Sequence, residues 1–222
     1  MYKAAESAVA YVKSLDRLEG GIASMILAEQ WIRGAPDILE PDMKHERQLA
    51  RQAVKDPLAF ASLYRRHLRA VYAYNMARTG NTQEAQDLTS ETFLAALENL
   101  TKYRGESSFR AWLIGIAKHK QVDHFRRQRP ERALADVEAI PLAESPLEER
   151  TTQAIRLRQV ANALRSLAPD QAQAVTLRFF AGLSVMETSA VMKKSEAAVK
   201  MLTYRGTRSL RERLEAASEV LI

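Results

Sequence analysis

The side chains best suited to chemistry lie near the C-terminal end, in LSVMETSAVMKKSEAAVKMLTYRGTRSLR, Leu183 to Arg211. Their chemistry is non-covalent recognition of a polyanion. Lys200, Arg205, Arg208 and Arg211 recur at helical spacing and can reach phosphates. Ser195, Glu196, Ala197, Lys200, Thr203, Tyr204 and Arg208 share the face left free by the apolar residues, and the small residues at its start permit close approach to base edges. Two helices must position them. The first opens at Ser184 with Glu187 three residues on, a capping-box pair, and can turn Val185, Thr188, Ala190 and Val191 inward. Met192-Lys193-Lys194 makes the turn. Ser195 caps the second helix, whose Val199, Leu202, Gly206 and Leu210 point to the core. The pattern is a helix-turn-helix; the plainer alternative is a helical hairpin with a solvated basic face.

Composition narrows the rest. A chain of 222 residues holds one or two domains, and its formal charge of +6 favours an anionic partner. The absence of cysteine excludes disulfides and thiolate metal sites. His45, His67, His119 and His124 have no zinc-ligand spacing, and no G-x-x-x-x-G-K-[ST] loop occurs, so neither metal nor nucleotide cofactor is expected. No apolar run of about 18 residues and no signal-peptide order is present, which predicts a cytoplasmic protein without membrane insertion. No residue set suggests an enzyme.

Helical periodicity runs almost throughout, predicting an all-α fold. Residues 1–50 read as an N-terminal helical extension, with apolar stripes over 2–18 and 22–33 and breakers at 34–42. Residues 51–129 read as a first domain of three helices, from Pro57, from Thr82 to Leu100 and from Ser107 to Arg129, enclosing Phe93, Leu94, Leu97, Phe109, Trp112, Leu113 and Ile116. Residues 130–150 hold six acidic residues, two basic residues and three prolines, the composition of a flexible acidic linker. A second helical domain covers 151–215, with a helix through Ile155 to Leu167 and another begun by Pro169, and 216–222 is a tail.

Four segments in chain order, AQDLTSETFLAAL (Ala85 to Leu97), KYRGESSFRAWLIGIAKHKQVDHFRRQR (Lys102 to Arg129), LRSLAPDQAQAVTLRFFAGLSVMETSAVM (Leu164 to Met192) and SEAAVKMLTYRGTRSLR (Ser195 to Arg211), resemble a bacterial RNA polymerase sigma factor of the extracytoplasmic-function type, within the sigma-70 family. Such factors have only regions 2 and 4. The resemblance spans about residues 57 to 215 and implies that 51–129 is region 2 and 151–215 region 4.

It also implies roles. The helix around Asp87, Leu88, Glu91 and Thr92 corresponds to the surface that grips the coiled coil of the largest polymerase subunit; Asp87 and Glu91, four apart, put two carboxylates on one face. The segment from Lys102 corresponds to the part that melts and reads the −10 element. There the Lys102 to Ser108 loop, with Tyr103, Arg104 and Ser107, would form a base pocket, and Arg110, Lys118, His119, Lys120, His124, Arg126, Arg127 and Arg129 would retain the single strand. Trp112 shares the apolar stripe of Phe109 and Ile116 and is expected in the core rather than stacked on a base. Region 4 would read the −35 duplex through Ser195, Glu196, Ala197, Lys200, Thr203 and Tyr204, with Arg205 and Arg208 on phosphates. Glu196 would either accept from a cytosine amino group or serve the helix dipole. Lys193 stands where the family commonly has a turn glycine.

The resemblance therefore implies a dissociable, non-enzymatic subunit that takes core polymerase, through its coiled coil and flap, to promoter DNA, duplex and melted. An anti-sigma protein is the group's usual inhibitor. The rival is a stand-alone helix-turn-helix regulator, which accounts for Leu183 to Arg211 but not for the ordered region 2 segments.

Overall fold

The computed structural model describes residues 43–135 and 159–219. The N-terminal helices expected over 2–18 and 22–33, and most of the acidic linker, lie outside them. All regular structure among the described residues is helical: α1 (Met43–Ala53), α2 (Pro57–Thr79), α3 (Thr82–Glu98), a 3₁₀ turn (Leu100–Lys102) and α4 (Phe109–Ala135), then α5 (residues 159–165), α6 (Pro169–Val175) running into a π-helical turn (Thr176–Phe180), α7 (Val185–Met192) and α8 (Glu196–Glu219).

Local chemistry sets most of these boundaries. Asp56 accepts from the Leu58 amide at 2.9 Å with Pro57 opening α2, and Gly80, at φ 66°, closes it with an amide bond to the Met76 carbonyl. Asn81 then accepts from the amides of Gln83 and Glu84 at 2.9 and 3.2 Å to start α3. The Ser184–Glu187 capping box is formed in both directions, and the Ser195 hydroxyl accepts from the Ala198 amide at 3.2 Å. Lys193, at φ 54°, is the described non-glycine residue in the left-handed region, the conformation a glycine would take without strain.

Three boundaries differ from the sequence reading. Helix α1 was not anticipated, and it crosses the expected domain limit at residue 50. Helix α4 continues through Pro130 to Ala135, past the expected end at Arg129. Helix α8 continues past 215 to Glu219.

The core explains how the pieces are held. Phe60, Leu63, Tyr64 and Val71 of α2, Phe93 of α3 and Phe109, Leu113 and Ile114 of α4 are buried together, with the Tyr64 and Phe93 rings 4.6 Å apart. Leu97, Trp112 and Ile116 are only half-buried at its edge, and Leu94 is also half-buried. The same apolar cluster continues into Leu177, Leu183 and Val199, so the N- and C-terminal helical modules share one interior. A second patch joins Ala77 of α2 to Leu164, Leu167 and Val175. Each large side chain so buried contributes about 1.5–3 kcal/mol.

Polar groups lock α1, α2 and α4. Glu46 of α1 and His67 of α2 are both buried, with Oε1 and Nε2 3.2 Å apart, and Arg66 lies 3.6 Å from the same oxygen. Burial pushes the His67 imidazole down from its ordinary value, with Glu46 opposing. Burial raises the Glu46 carboxyl, but His67, Arg66 and Arg110 outweigh it and the net shift is downward. Deeper in, Gln121 donates to Asn75 at 2.8 Å and Asn75 to Thr89 at 3.1 Å, tying α4, α2 and α3 together.

Candidate nucleic-acid interface

Three surfaces carry the residues singled out in the sequence. The first is the loop before α4 and the face of α4 itself. Ser108 starts this helix by accepting from the Ala111 amide at 3.1 Å. The loop is folded back on the core: the Tyr103 hydroxyl donates to the Ser107 carbonyl at 2.8 Å, and its ring lies 5.2 Å from Phe109 and 5.3 Å from Trp112. Burial, with Glu46 adding, pushes the Tyr103 phenol up to about 12. Gly105, at φ 72°, presents its carbonyl to the Arg47 guanidinium. Arg47 sits on the unanticipated α1, so no local signal could have found it. Lys102 and Arg104 are exposed, Lys102 with its Nζ 2.6 Å from the Asn99 side-chain oxygen, and Ser107 is half-buried.

The α4 cations divide into two sets. Arg110 donates to the Gly182 carbonyl and Lys118 to the Val191 carbonyl, each at 3.2 Å, so both reach across to the C-terminal module. Burial, with Lys193 and Arg78 nearby, lowers the Lys118 ammonium. Ser108 completes the contact by donating to Glu187, the residue that also accepts from the Ser184 amide at 2.8 Å. One carboxylate therefore serves a helix cap with one oxygen and joins the two modules with the other. Lys120 and His124 face α3, 3.7 Å from Glu91 and 3.0 Å from Glu84. His119, Arg126 and Arg127 are exposed, with Arg126 3.1 Å from Asp123 and Arg127 donating to the Asp123 carbonyl at 3.3 Å. The Arg129 side chain lies outside the described residues.

The second surface is α3. Asp87 is exposed and accepts from Gln83 at 3.2 Å; Glu91, half-buried, sits beside it and reaches Lys120. Leu88 and Thr92 do not belong to that surface. Leu88 is 2 % and Thr92 0 % exposed, and the Thr92 hydroxyl donates to the Leu88 carbonyl at 2.6 Å. They lie one turn apart on the face of α3 that packs inward, so they position the two carboxylates instead of touching a partner.

The third surface is α8. Ser195, Glu196, Ala197, Lys200, Tyr204, Arg205 and Arg208 are all exposed, whereas Val199 and Gly206 are buried, as a helix docked on one face requires. Thr203 departs from this set: it is half-buried and its hydroxyl is buried without a hydrogen bond. Arg208 pairs with Glu212 at 3.0 Å. The close seat of α8 depends on Gly206, where a Cβ would come 2.7 Å from Val175 Cγ2 and 3.1 Å from the Gln171 carbonyl. On α7 the expected inward set holds for Thr188, which is fully buried, holds in part for Val185 and Val191, which are half-buried, and fails for Ala190, which is exposed.

A cation-bearing helix with its own loop followed by a basic helix-turn-helix, in that order, also marks known proteins. Sigma-70 region 2 matches residues 63–131 and Sigma-70 region 4 matches residues 157–210. The sigma factor SigE of Mycolicibacterium smegmatis is 31 % identical over 80 % of this chain and 71 % of its own length. This chain belongs to the extracytoplasmic-function sigma factors. The sigma factor BldN of Streptomyces coelicolor is 41 % identical over 68 % of the chain, which spans only 59 % of BldN, and SigX of Bacillus subtilis is 28 % identical over 73 % of the chain and 87 % of its own length. Among solved structures, CnrH in complex with the cytosolic domain of CnrY superposes at a TM-score of 0.57 with 27 % identity, covering 77 % of this chain and 97 % of CnrH. RpoE of Bartonella quintana, solved with the anti-sigma factor NepR, shares the fold at a TM-score of 0.56. The region 2 match begins at residue 63, so α1, which supplies Glu46 and Arg47, precedes it.

Proposed function

We propose that this sigma factor directs core RNA polymerase to a set of promoters and helps to open the −10 element. The observation that carries the proposal is the pairing of region 2 and region 4 in one chain, with an exposed basic recognition helix in the second. A stand-alone regulator needs only the helix-turn-helix and has no use for a complete region 2. The chain acts in the cytoplasm, catalyses no reaction and carries no cofactor. Among the described residues no helix is long and apolar enough to cross a membrane.

Asp87 and Glu91 on α3 meet cationic residues of the coiled coil of the largest subunit. Lys102, Tyr103, Arg104 and Ser107 border the site of an extruded −10 base, and Arg110, Lys118, His119, Lys120, His124, Arg126, Arg127 and Arg129 retain the melted strand. Ser195, Glu196, Ala197, Lys200 and Tyr204 face the −35 bases, with Arg205 and Arg208 on the phosphates and Thr203 supporting from behind. The acidic linker from Glu131 to Glu149 runs through the polymerase near the template-strand path and the RNA exit.

The conformation described here is the form not engaged with a promoter. Arg110 and Lys118 are turned to main-chain carbonyls of region 4, and a −10 strand needs those cations. The modules therefore part when polymerase binds. CnrH and RpoE were solved with CnrY and the anti-sigma factor NepR, and an anti-sigma protein holding the modules together is the matching partner for this chain.

Gel filtration of the purified chain with bacterial core polymerase, followed by run-off transcription on a library of promoter fragments, tests the reading. Comigration with promoter-dependent transcripts is expected. Duplex binding without core association would leave the stand-alone regulator as the better account.

A further inference from the structure

The recognition helix presents an apolar element that charge alone does not explain. Val199 and Gly206 fix the inward side of α8, so at 100° per residue the line pointing most directly away from the core is Ala197, Met201, Tyr204 and Arg208. Met201 is 49 % and Tyr204 63 % exposed, two of the few large hydrophobic side chains left open among the described residues. One turn apart, they form a continuous apolar strip. Exposed Lys200 and Arg205 flank it on either side. Apolar surface left in water costs free energy that covering it would recover, which points to a surface that is covered in use.

A second helix of a helix-turn-helix places the N-terminal half of its outward face in the major groove. Met201 is the sixth residue of α8, within that half. From Ala197 to Tyr204 the helix rises about 10 Å, or three base-pair steps. The base-pair edges in the major groove offer donors, acceptors and a single apolar group, the C5 methyl of thymine. Polar edges would leave Met201 unmatched and would themselves be desolvated against a thioether.

We propose that Met201 is a specificity-determining residue that packs against a thymine methyl in the −35 element, with Tyr204 extending the same apolar contact. The flexible thioether suits a shallow, off-axis methyl better than a branched side chain would. This inference rests on the promoter reading above and names the chemical group that the helix reads. Its sequence position gave no warning: Met201 looks like one more apolar residue beside Leu202, and only the burial of Leu202's side of the helix separates the two.

The test uses the reconstituted holoenzyme and a promoter selected by it. Each −35 thymine is replaced singly by deoxyuridine, which deletes the methyl and leaves the hydrogen-bonding edge intact. The wild-type holoenzyme should bind about fourfold more weakly when the contacted methyl is removed, the effect of one buried methyl group. Met201→Ala should bind thymine and uracil templates equally, while Met201→Leu, which keeps the apolar volume, should retain most of the discrimination. Met201 touches no core, so these variants should fold and bind polymerase as the wild type does. Indifference of the wild type to every thymine-to-uracil change would overturn the proposal and leave the strip free for a protein partner. An unchanged methyl preference in Met201→Ala would also overturn it. Failure of the unmodified template to bind at all would instead count against the promoter reading itself.

Discussion

Helix α4 turns part of its charge toward the other module, whereas α8 turns its charge to solvent. Arg110 and Lys118 of α4 donate to carbonyls of region 4, and Lys120 and His124 are paired with carboxylates of α3. On α8 only Arg208 has an acidic partner among the described cations of the recognition face, its own neighbour Glu212. The supports differ as well. Region 2 is held by buried polar pairs, Glu46 with His67 and Asn75 with Thr89 and Gln121. The helix-turn-helix is held by caps, a close glycine seat and apolar packing. Under the proposed function, the module assigned to melting holds part of its charge in contacts with its neighbour, and the module assigned to the duplex leaves its basic face open to solvent.

That contrast can be broken from either side. The largest effect is expected from Phe109→Ala at the start of α4. The ring is fully buried beside Tyr103, Trp112 and His67, and its loss should cost about 3–5 kcal/mol in urea unfolding. It should also abolish −10 opening while −35 duplex binding by the folded fraction persists. Next is Gly206→Ala, which forces a Cβ against Val175 and the Gln171 carbonyl. Overpacking should cost about 1–3 kcal/mol, outweighing the gain in helix propensity of about 1 kcal/mol, and should tilt α8 and weaken −35 binding.

A finer pair of variants isolates the junction. Ser184→Ala removes only the capping hydroxyl, at about 1 kcal/mol. Glu187→Ala keeps that hydroxyl bond, made by its own backbone amide, but removes the reciprocal bond from the Ser184 amide and the bond to Ser108, and should cost about 1 kcal/mol more than Ser184→Ala. Amide exchange near Ser108 and Lys118 should quicken in Glu187→Ala and not in Ser184→Ala; equal exchange in both would show that the junction does not depend on this carboxylate.

The pH response should be confined to region 2. His67 is held below its ordinary value of 6.5 by burial, so the unfolded chain binds its proton first. The stability from the neutral imidazole is complete above about 6.5 and is lost as pH falls through the lowered folded value. Glu46, also lowered, adds loss in the same direction at more acid pH. Thermal melts between pH 7.5 and 5.5 should show falling stability, and His67→Phe should flatten that slope.

The legible parts of the fold were local ones. Ser184, Glu187 and Ser195 act within three residues of their partners, and the α8 stripe repeats at a fixed period, so the helix-turn-helix could be drawn from the sequence. Helix α1, MKHERQLARQA, could not: it buries two alanines and a glutamate whose partner is His67 on another helix. Its apolar content gives little sign of a buried face. Leu88 and Thr92 were placed on the polymerase-facing surface by resemblance, but three- and four-residue spacing does not say which of two adjacent stripes faces inward, and they proved to be interior. Proline at 130 suggested an end to α4 that the helix passes through. The second role of Glu187 depends on how the modules meet, which no local pattern encodes.

Permanganate footprinting of a selected promoter tests most directly whether region 2 opens DNA once polymerase has drawn it away from region 4. Reactive, unstacked thymines should appear around the −10 element only when the chain and core polymerase are both present. Protection of the −35 duplex by the chain without core, with no reactive thymines under any condition, would contradict the account.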